Sequence, residues 1–430
     1  MGWLTRYRLR SFLRHSFWLY PSIALLGAWI FGRLVGFYAA DIELHFFQTR
    51  STEGARAVVG ALAASMLTFV VYSVSALLLA VQLASGQITP RLINLTFGRW
   101  TMKAATSAFV FAFCLSVVAL ANVSDDGRYD ALVLLAVVVN VFSLIVFLWF
   151  VQEVGTGLRP VAILQYLYAE GRKAMDGVYE GTFDPAATQS AAQELPLPST
   201  GRVVVRKGAS GTFLAFGRRD LVALAIKAQC TIELIPQVGD FVSTDDPLAR
   251  IYPATAKVEE AILNDMVAFG PERTMEQDPM FAFRIMVDIG ARALSPAIND
   301  PTTAVLAIDQ IHRLLRYAGF RNIGTGRVYD RDGRLRLIFP TPAWDDIVDL
   351  ALTELRQFGG GSIQVARRTK AMLEHLIATL PPARTAALRR ELVTLESGIA
   401  RNFAEPDDRR RANFADFQGL GGSSARSDEL

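Results

Sequence analysis

Residues 57–88 read AVVGALAASMLTFVVYSVSALLLAVQLASGQI and contain no charged side chain. About 20 apolar residues cross the hydrocarbon core of a bilayer as a helix. This stretch therefore predicts a membrane-spanning helix that continues beyond the bilayer toward Pro90. Three more stretches of this kind lie at 17–40, 104–123 and 131–151. The sequence thus predicts an α-helical integral membrane domain with four transmembrane helices.

The rest of the chain has the composition of an ordinary globular protein, because the charged residues, 20% of the total, are concentrated outside the four stretches. A net charge of +3 over 430 residues gives no reason to expect nucleic acid as a partner. Cys114 and Cys230 are too widely spaced for a disulfide framework or a zinc motif, and the four histidines are scattered. We expect no cofactor, and a metal site would need carboxylates.

Basic residues collect at alternate ends of the apolar stretches. Several arginines precede the first stretch, Arg91, Arg99 and Lys103 follow the second, and further basic residues follow the fourth. The other two connections are mixed or acidic. Cytoplasmic loops carry the excess of Lys and Arg in membrane proteins. Both the N- and C-termini are therefore expected in the cytoplasm, together with everything after Val151.

The second apolar stretch carries a stripe of small and polar residues at alternating spacings of three and four. Interrupted only by Leu79, its members are Ser65, Thr68, Tyr72, Ser75, Gln82, Gly86 and Thr89. Helices associate in lipid through such faces, so one interpretation is a packing seam against the other three helices. The other is a polar path that the stripe lines in a homo-oligomer. No acidic residue lies on the stripe in mid-membrane, which argues against a proton-coupled pump.

Changes in composition divide the chain into five parts. A transmembrane domain at 1–160 is followed by a Gly-, Ala-, Ser- and Pro-containing linker at 161–200. Alternating patterns predict a small β module at 201–256, where VGDFVSTDDPLARIY is similar to a hairpin of the barrel-sandwich (lipoyl-like) fold but lacks a lysine for lipoyl or biotin. Amphipathic patterns predict a helical part at 257–403, and 404–430 is predicted to be a disordered tail. The predicted cytoplasmic domain is thus α+β.

Two helix starts in the helical part share the same chemistry. Asp278-Pro279 and Asp300-Pro301 each combine an N-cap carboxylate with a proline at the first helical position. The residues 295–299 between the two helices allow only a tight connection. The two helices are therefore predicted to form a hairpin.

Residues 272–304, ERTMEQDPMFAFRIMVDIGARALSPAINDPTTA, resemble the signature of the bacterial domain-of-unknown-function 2254 family of predicted membrane proteins. The likeness extends to residues 82–91, to GDFVSTDDPLARIY and to Trp344-Asp345-Asp346, although Thr89 stands where the family often has serine. The resemblance implies the topology described above and a multi-pass location in the bacterial inner (cytoplasmic) membrane. It implies no reaction.

The signature contains a group of charged, amide and hydroxyl side chains that form a candidate ligand- or ion-binding site. They are Arg273, Glu276, Asp278, Arg284, Asp288, Arg292, Asn299, Asp300, Thr302 and Thr303. The carboxylates and hydroxyls suit Mg²⁺ or Ca²⁺, whereas arginines beside a helix N-terminus suit an anion. Three of these charged residues recur every four positions, a spacing that is also typical of a structural ladder of ion pairs. Structural, binding and catalytic interpretations all stay open.

The sequence contains no catalytic triad, P-loop, zinc motif or nucleophile elbow, so we do not expect an enzyme. One functional hypothesis is an oligomeric channel or transport protein with a cytoplasmic regulatory or assembly domain. The alternative is a non-transporting membrane sensor or scaffold that binds an ion, an anion or a protein partner at 272–304. The expected partners are the lipid bilayer, further copies of the chain and a small ion or anion.

Overall fold

The computed structural model describes residues 2–38, 52–87, 100–123, 130–157, 159–179, 181–184, 200–324 and 326–420. The chain divides into two compact units. The α/β unit comprises Met1–Arg8 and Ile163–Leu430, and the membrane unit comprises Leu9–Ala162.

The N-terminal part of the chain is helical. Its helices are α1 (Trp3–His15), α2 (Leu19–Tyr38), α3 (Thr52–Gln87), α4 (Trp100–Asn122), α5 (Asp130–Gly157) and α6 (Pro160–Val178). Four of them, α2 to α5, are long and apolar enough to cross a membrane. The predicted domain of four apolar helices is therefore confirmed. Helix α3 has 36 residues, more than a bilayer requires.

Helix α4 is central in the membrane unit and packs against α2, α3 and α5. Small residues on α4, such as Ala105, Ala112 and Ala119, are fully buried and allow the neighbouring helices to approach closely. An aromatic cluster fills one part of this interior. Phe69 of α3 stacks on Phe147 of α5 with ring centroids 4.2 Å apart, and both rings contact Phe109 of α4.

Helix α3 packs on these neighbours through one well-defined face. The buried residues of this face are Val59, Ala63, Met66, Ser73 and Leu77. They follow one another at the spacings of three, four and seven that keep side chains on one side of a helix. The face is apolar except for Ser73, whose hydroxyl donates to the Val70 carbonyl at 2.8 Å.

The α/β unit adds further helices and eight strands among the residues described. The helices are α7 (Arg218–Lys227), α8 (Glu260–Asn264), α9 (Pro279–Ala293), α10 (Pro301–Gly319), α11 (Trp344–Gly359), α12 (Ile363–Thr379), α13 (Thr385–Asn402) and α14 (Pro406–Ala412). The strands are β1 (Arg202–Val205), β2 (Gly211–Phe216), β3 (Thr231–Leu234), β4 (Phe241–Val242), β5 (Pro247–Tyr252), β6 (Val267–Gly270), β7 (Arg327–Tyr329) and β8 (Leu335–Ile338).

The described strands form two sheets and no closed barrel. One has the order β1-β5-β3-β8-β7, and the other has the order β4-β2-β6. Neighbouring strands are antiparallel except for β3 and β8, which are parallel. A turn at residues 237–240 lies between β3 and β4, and Gly239 has a φ of +100° there. An α+β architecture after the membrane helices is therefore confirmed.

Helices α9 and α10 form the predicted hairpin. The Asp300 N–H donates to the Ala293 carbonyl at 2.7 Å, so the start of α10 lies against the end of α9. Helix α9 is buried along most of its length because it packs against both α10 and α11. Helices α12 and α13 pack against each other and cover α10 and α11, respectively.

Three parts of the α/β unit differ from the sequence prediction. Helix α6 occupies residues 160–178 of the predicted linker; residues 185–199 of that linker lie outside the described residues. Strands β6, β7 and β8 lie in the part predicted as helical. The sequence did not predict them because each strand has too few residues to show an alternating pattern. Helix α14 lies in the predicted disordered tail, where Arg367 and Arg368 donate to backbone carbonyls of residues 414–417. Residues 421–430 lie outside the described residues.

Candidate functional site

The polar stripe of α3 lies on the exposed side of the membrane unit. Ser65, Thr68, Ser75 and Gln82 are exposed, and Tyr72 is 47% exposed although its ring contacts Phe147. Each helical residue advances by about 100°, so the stripe points about 180° away from the buried face of α3. Apart from the Tyr72 ring, the described residues of this stripe therefore do not pack on the described helices of the same chain. Gly86 lies in the last turn of α3, and Thr89 lies outside the described residues.

Exposure to lipid would cost the hydroxyl groups of the stripe less free energy than the larger polar side chains. The Ser65 hydroxyl donates to the Ala61 carbonyl at 2.9 Å, and the Thr68 hydroxyl donates to the Ala64 carbonyl at 3.0 Å. These groups are satisfied within α3 and are tolerated in lipid. The phenol of Tyr72 and the amide of Gln82 are larger polar groups, and they favour a polar or protein environment.

In the signature, Asp278 forms the N-cap of α9, as predicted. Its Oδ1 accepts from the Phe281 N–H at 3.3 Å, and its Oδ2 lies 2.8 Å from Nε of Arg273. The guanidinium of Arg273 in turn covers Gly239, where an added Cβ would overlap it. The turn between β3 and β4 thus holds Arg273 against Asp278.

Burial dominates the electrostatics of Asp278, whose side chain is only 4% exposed. Desolvation raises the pKa of this carboxyl from its ordinary 3.8 to about 6, against the opposing effects of Arg273 and of the backbone N–H groups. The pKa of the buried Tyr179 phenol is also raised, first by desolvation and then by the charge of Asp278. This end of α9 is therefore a place where protonation and structure are coupled.

A pocket with a cavity volume of about 60 Å³ lies beside Asp278. It is lined by residues from the end of α6, the β2–α7 junction, the β3–β4 turn, the start of α9 and the segment after β8. They include Tyr179, Phe216, Val238, Asp278, Met280 and Phe339. Gln277 shapes one wall by bonding the backbone of Phe216 through both ends of its amide, at 3.0 and 3.2 Å. Mostly apolar walls with a few polar groups are typical of small-molecule sites.

Arg284 joins a structural network. Its guanidinium donates to both carboxylate oxygens of Glu354 on α11 at 2.6 Å, and its Nε donates to Asp288 at 2.7 Å. The pKa of Arg284 is raised, chiefly by the hydrogen bond to Glu354. Bidentate arginine–carboxylate pairs are among the stronger polar contacts in proteins. The predicted ladder on α9 therefore includes a partner from α11.

Asp300 caps α10 in the same manner as Asp278 caps α9. Its carboxylate accepts from the Thr303 N–H at 3.0 Å and from the Thr303 hydroxyl at 2.5 Å. Since Asp300 lies at the end of α9 and Asp278 at its start, about 20 Å of helix separates the two carboxylates. They cannot belong to one binding site.

The remaining signature residues are divided between these two ends. Glu276 lies near the start of α9, where desolvation first, and then the charge of Glu276, raises the pKa of the Tyr7 phenol. Arg292 is partly buried in the last turn of α9, while Asn299 and Thr302 are exposed beside Asp300. Asn299 has a φ of +48°, which the tight connection requires. The ten predicted residues thus form three clusters, around Asp278, Arg284 and Asp300.

No group of three or more His, Cys, Asp or Glu side chains suited to a metal ion occurs among the described residues. The carboxylates at 278, 288 and 300 each have their own hydrogen-bond or ion-pair partners. The geometry therefore favours helix capping and ion pairing at these positions over a Mg²⁺ or Ca²⁺ site.

The structure brings together two histidines that the sequence separates by 63 positions. Nε2 of His312 on α10 lies 2.8 Å from Nδ1 of His375 on α12. Burial first, and then the charge of His375, lowers the pKa of His312 to about 4. Their spacing in the chain carries no signal of this contact, because the two helices meet only through tertiary packing.

Two other groups of side-chain contacts were also not predicted from the sequence. Asn140 of α5 is buried in the membrane unit, where its amide donates to Ser116 Oγ at 2.8 Å and to the Ala136 carbonyl at 2.7 Å. In the α/β unit, the Trp3 ring packs on Gly217 and stacks on Tyr7 at 5.2 Å. A lone polar residue in an apolar run could have indicated Asn140, but no sequence signal indicated Trp3 or Tyr7.

The chain is also similar in sequence to known proteins. The family described as "Predicted membrane protein (DUF2254)" matches residues 14–375, which include the four apolar helices, both sheets and the signature. The chain belongs to this family. The suspected resemblance is therefore confirmed.

Two mycobacterial proteins are similar to the chain in sequence over most of its length. Uncharacterized proteins of Mycobacterium bovis and Mycobacterium tuberculosis are each 24% identical over 369 residues, which is 83% of this chain and 70% of theirs. No solved structure matches the chain significantly. Membership of the family identifies a membrane protein and assigns no activity.

Proposed function

We propose that this protein is a homo-oligomeric channel or transport protein of the bacterial inner membrane, with the α/β unit as a cytoplasmic regulatory or assembly domain. The polar stripes of α3 from neighbouring copies face one another and line a shared polar path. Both termini are cytoplasmic in this proposal, as the distribution of Lys and Arg favours.

The observation that carries the proposal is the exposure of the stripe. Helix α3 packs on its own chain through Val59, Ala63, Met66 and Leu77, and the polar side chains of the stripe point the opposite way. Apolar side chains gain little by leaving lipid, whereas small and hydroxyl-bearing faces associate closely. A second copy, or water shared among several copies, is therefore a better neighbour for Tyr72 and Gln82 than lipid.

The test is ion flux through the full-length protein in liposomes, measured for K⁺, Na⁺ and Cl⁻. Ser75→Leu and Gln82→Leu replace two stripe residues by side chains that a path for ions would not tolerate. Both variants are expected to reduce flux several-fold. Leu78→Ile, an exposed position of α3 outside the stripe, is the matched control and should behave like wild type. Flux no greater than that of empty liposomes, or unchanged flux in both stripe variants, would contradict the proposal.

A second candidate function, a membrane sensor without transport activity, is favoured by the pocket beside Asp278. A ligand there would contact β2, α9 and the segment after β8 at once. Binding would then stabilise the full-length protein, and Asp278→Asn would weaken that effect while keeping the N-cap, because Asn caps helices as well as Asp does. Asp300→Asn is the matched control, since Asp300 caps α10 away from the pocket. A screen in which no small molecule raises the melting temperature of the wild type contradicts this candidate.

A further inference from the structure

Helix α1 carries an exposed apolar face within a strongly basic sequence. Its residues, WLTRYRLRSFLRH, include four arginines and no acidic side chain. Leu9, Phe12 and Leu13 follow one another at the spacing of a helical face, and they are 46%, 59% and 39% exposed. A soluble helix would not present such a face to water without a partner.

The start of α2 fixes where this face lies along the membrane normal. Only residues 16–18 separate α1 from α2, so the end of α1 lies within about 14 Å of the first residue of a membrane-spanning helix. Lys103, in the first turn of α4, donates to the Leu13 carbonyl at 3.4 Å and lies over the Tyr20 ring. The end of α1 is therefore held at the level where α2 and α4 both begin.

Aromatic residues at the same level indicate the lipid headgroups. Trp18 and Trp100 are 68% and 66% exposed, and the Trp100 ring contacts the Tyr20 ring edge-on at 5.7 Å. Trp and Tyr are enriched where a membrane meets water. Leu9, Phe12 and Leu13 thus lie beside an interfacial belt of aromatic side chains.

We propose that α1 is an interfacial helix that binds anionic phospholipid, with Leu9, Phe12 and Leu13 inserted at the boundary between headgroups and acyl chains. Arg10 lies about 110° around the helix from the middle of this apolar face and is exposed. Apolar insertion and attraction of arginines to anionic lipid together hold such helices at a membrane surface. The occupant of the apolar face is lipid, and the inference does not depend on transport activity.

The test is the membrane depth of spin labels on α1. Phe12→Cys and Arg10→Cys are made separately in the full-length chain, with Cys114 and Cys230 replaced by alanine. Each protein is labelled and reconstituted in vesicles of phosphatidylglycerol or of phosphatidylcholine. The ratio of collisions with oxygen to collisions with a water-soluble nickel complex reports depth. In phosphatidylglycerol the label at 12 should lie about 5–10 Å deep, and the label at 10 should stay in water.

In phosphatidylcholine, the label at 12 should be shallower, because the attraction between the arginines and the lipid is lost. Equal depth in both lipids would show that the helix does not select anionic lipid, and would overturn that part of the proposal. Free access of the nickel complex to both labels would overturn insertion. Shielding of the label at 12 from both collision partners would show that protein, either a second copy or this chain, covers the face, and would also overturn it.

Discussion

Asp278 is both a helix N-cap and a buried carboxylate, and these two roles act on its charge in opposite directions. The Phe281 N–H and Arg273 favour the ionised form, whereas burial favours the protonated form and has the larger effect. The capping role was predictable from Asp-Pro in the sequence. The burial and the partner at 273 were not, because both depend on the turn at Gly239 and on the neighbouring strands.

The raised pKa of Asp278 predicts a pH-dependent stability. Its folded value of about 6 lies above the ordinary 3.8, so the folded state keeps a proton that the unfolded state has released. The stability contributed by this group therefore falls as pH rises from about 4 to about 6. The melting temperature of Asp278→Asn, relative to wild type, should rise across this interval. A difference between the two proteins that does not change with pH would contradict the prediction.

The ion pair between Arg284 and Glu354 predicts a measurable coupling energy. In a double-mutant cycle with Arg284→Ala and Glu354→Ala, the coupling should be about 1–3 kcal/mol in favour of the pair. The exposed pair Arg390–Asp345 is the control and should give about 0.2–1 kcal/mol. Thermal and denaturant unfolding of the full chain supply the values. Similar coupling in the two pairs would show that the network around Arg284 is not structurally important.

At the scale of elements, helices with two different faces determine the architecture. Helix α3 presents an apolar face to its own unit and a polar stripe on the other side. Helix α6 presents Gly171 to the α9–α10 hairpin, where an added Cβ would lie 2.7 Å from Ala282 Cβ and 3.0 Å from Leu314 Cδ2. Close helix contact at Gly171 explains why residues predicted as a linker are an ordered helix.

This contact predicts opposite effects of one substitution at two positions of α6. Gly177→Ala meets no atom within 4 Å and should stabilise the protein by about 0.5–1 kcal/mol through helix propensity. Gly171→Ala should destabilise it by about 1–3 kcal/mol, because Ala282 and Leu314 must move. Melting temperatures of the two variants test this directly. Stabilisation by both substitutions would mean that α6 does not pack closely on the hairpin.

Local pattern was sufficient to predict some elements and insufficient for others. The four membrane helices and the α9–α10 hairpin were predicted because hydrophobic length and cap chemistry act over neighbouring residues. The parallel pairing of β3 with β8 joins Ile232 to Leu337, and no short-range pattern specifies such a distant pair. The tail was predicted to be disordered from its composition, but Arg367 and Arg368 of α12 hydrogen-bond the backbone of its residues 414–417.

At the scale of the whole molecule, the chain is a member of a membrane protein family with two units of different character. The membrane unit leaves a polar stripe exposed, and the α/β unit has a pocket beside a buried carboxylate. The candidate residues of the signature were predicted as a set, but the structure distributes them over three clusters. Their common position in the sequence reflects helix α9, with Asp278 at its start and the N-cap of α10 beside its end.

The central claim, that α3 stripes face one another between copies, is tested most directly by cysteine cross-linking in native membranes. Single cysteines replace Ser65, Thr68 or Ser75 of the stripe in a chain with Cys114→Ala and Cys230→Ala. Control cysteines replace the exposed residues Leu67, Val71 or Leu78, whose centre lies about 90° around the helix from the centre of the three stripe positions. Oxidation should link chains at the stripe positions and leave the control positions largely monomeric. Equal cross-linking in both sets, or none at the stripe, would contradict the account.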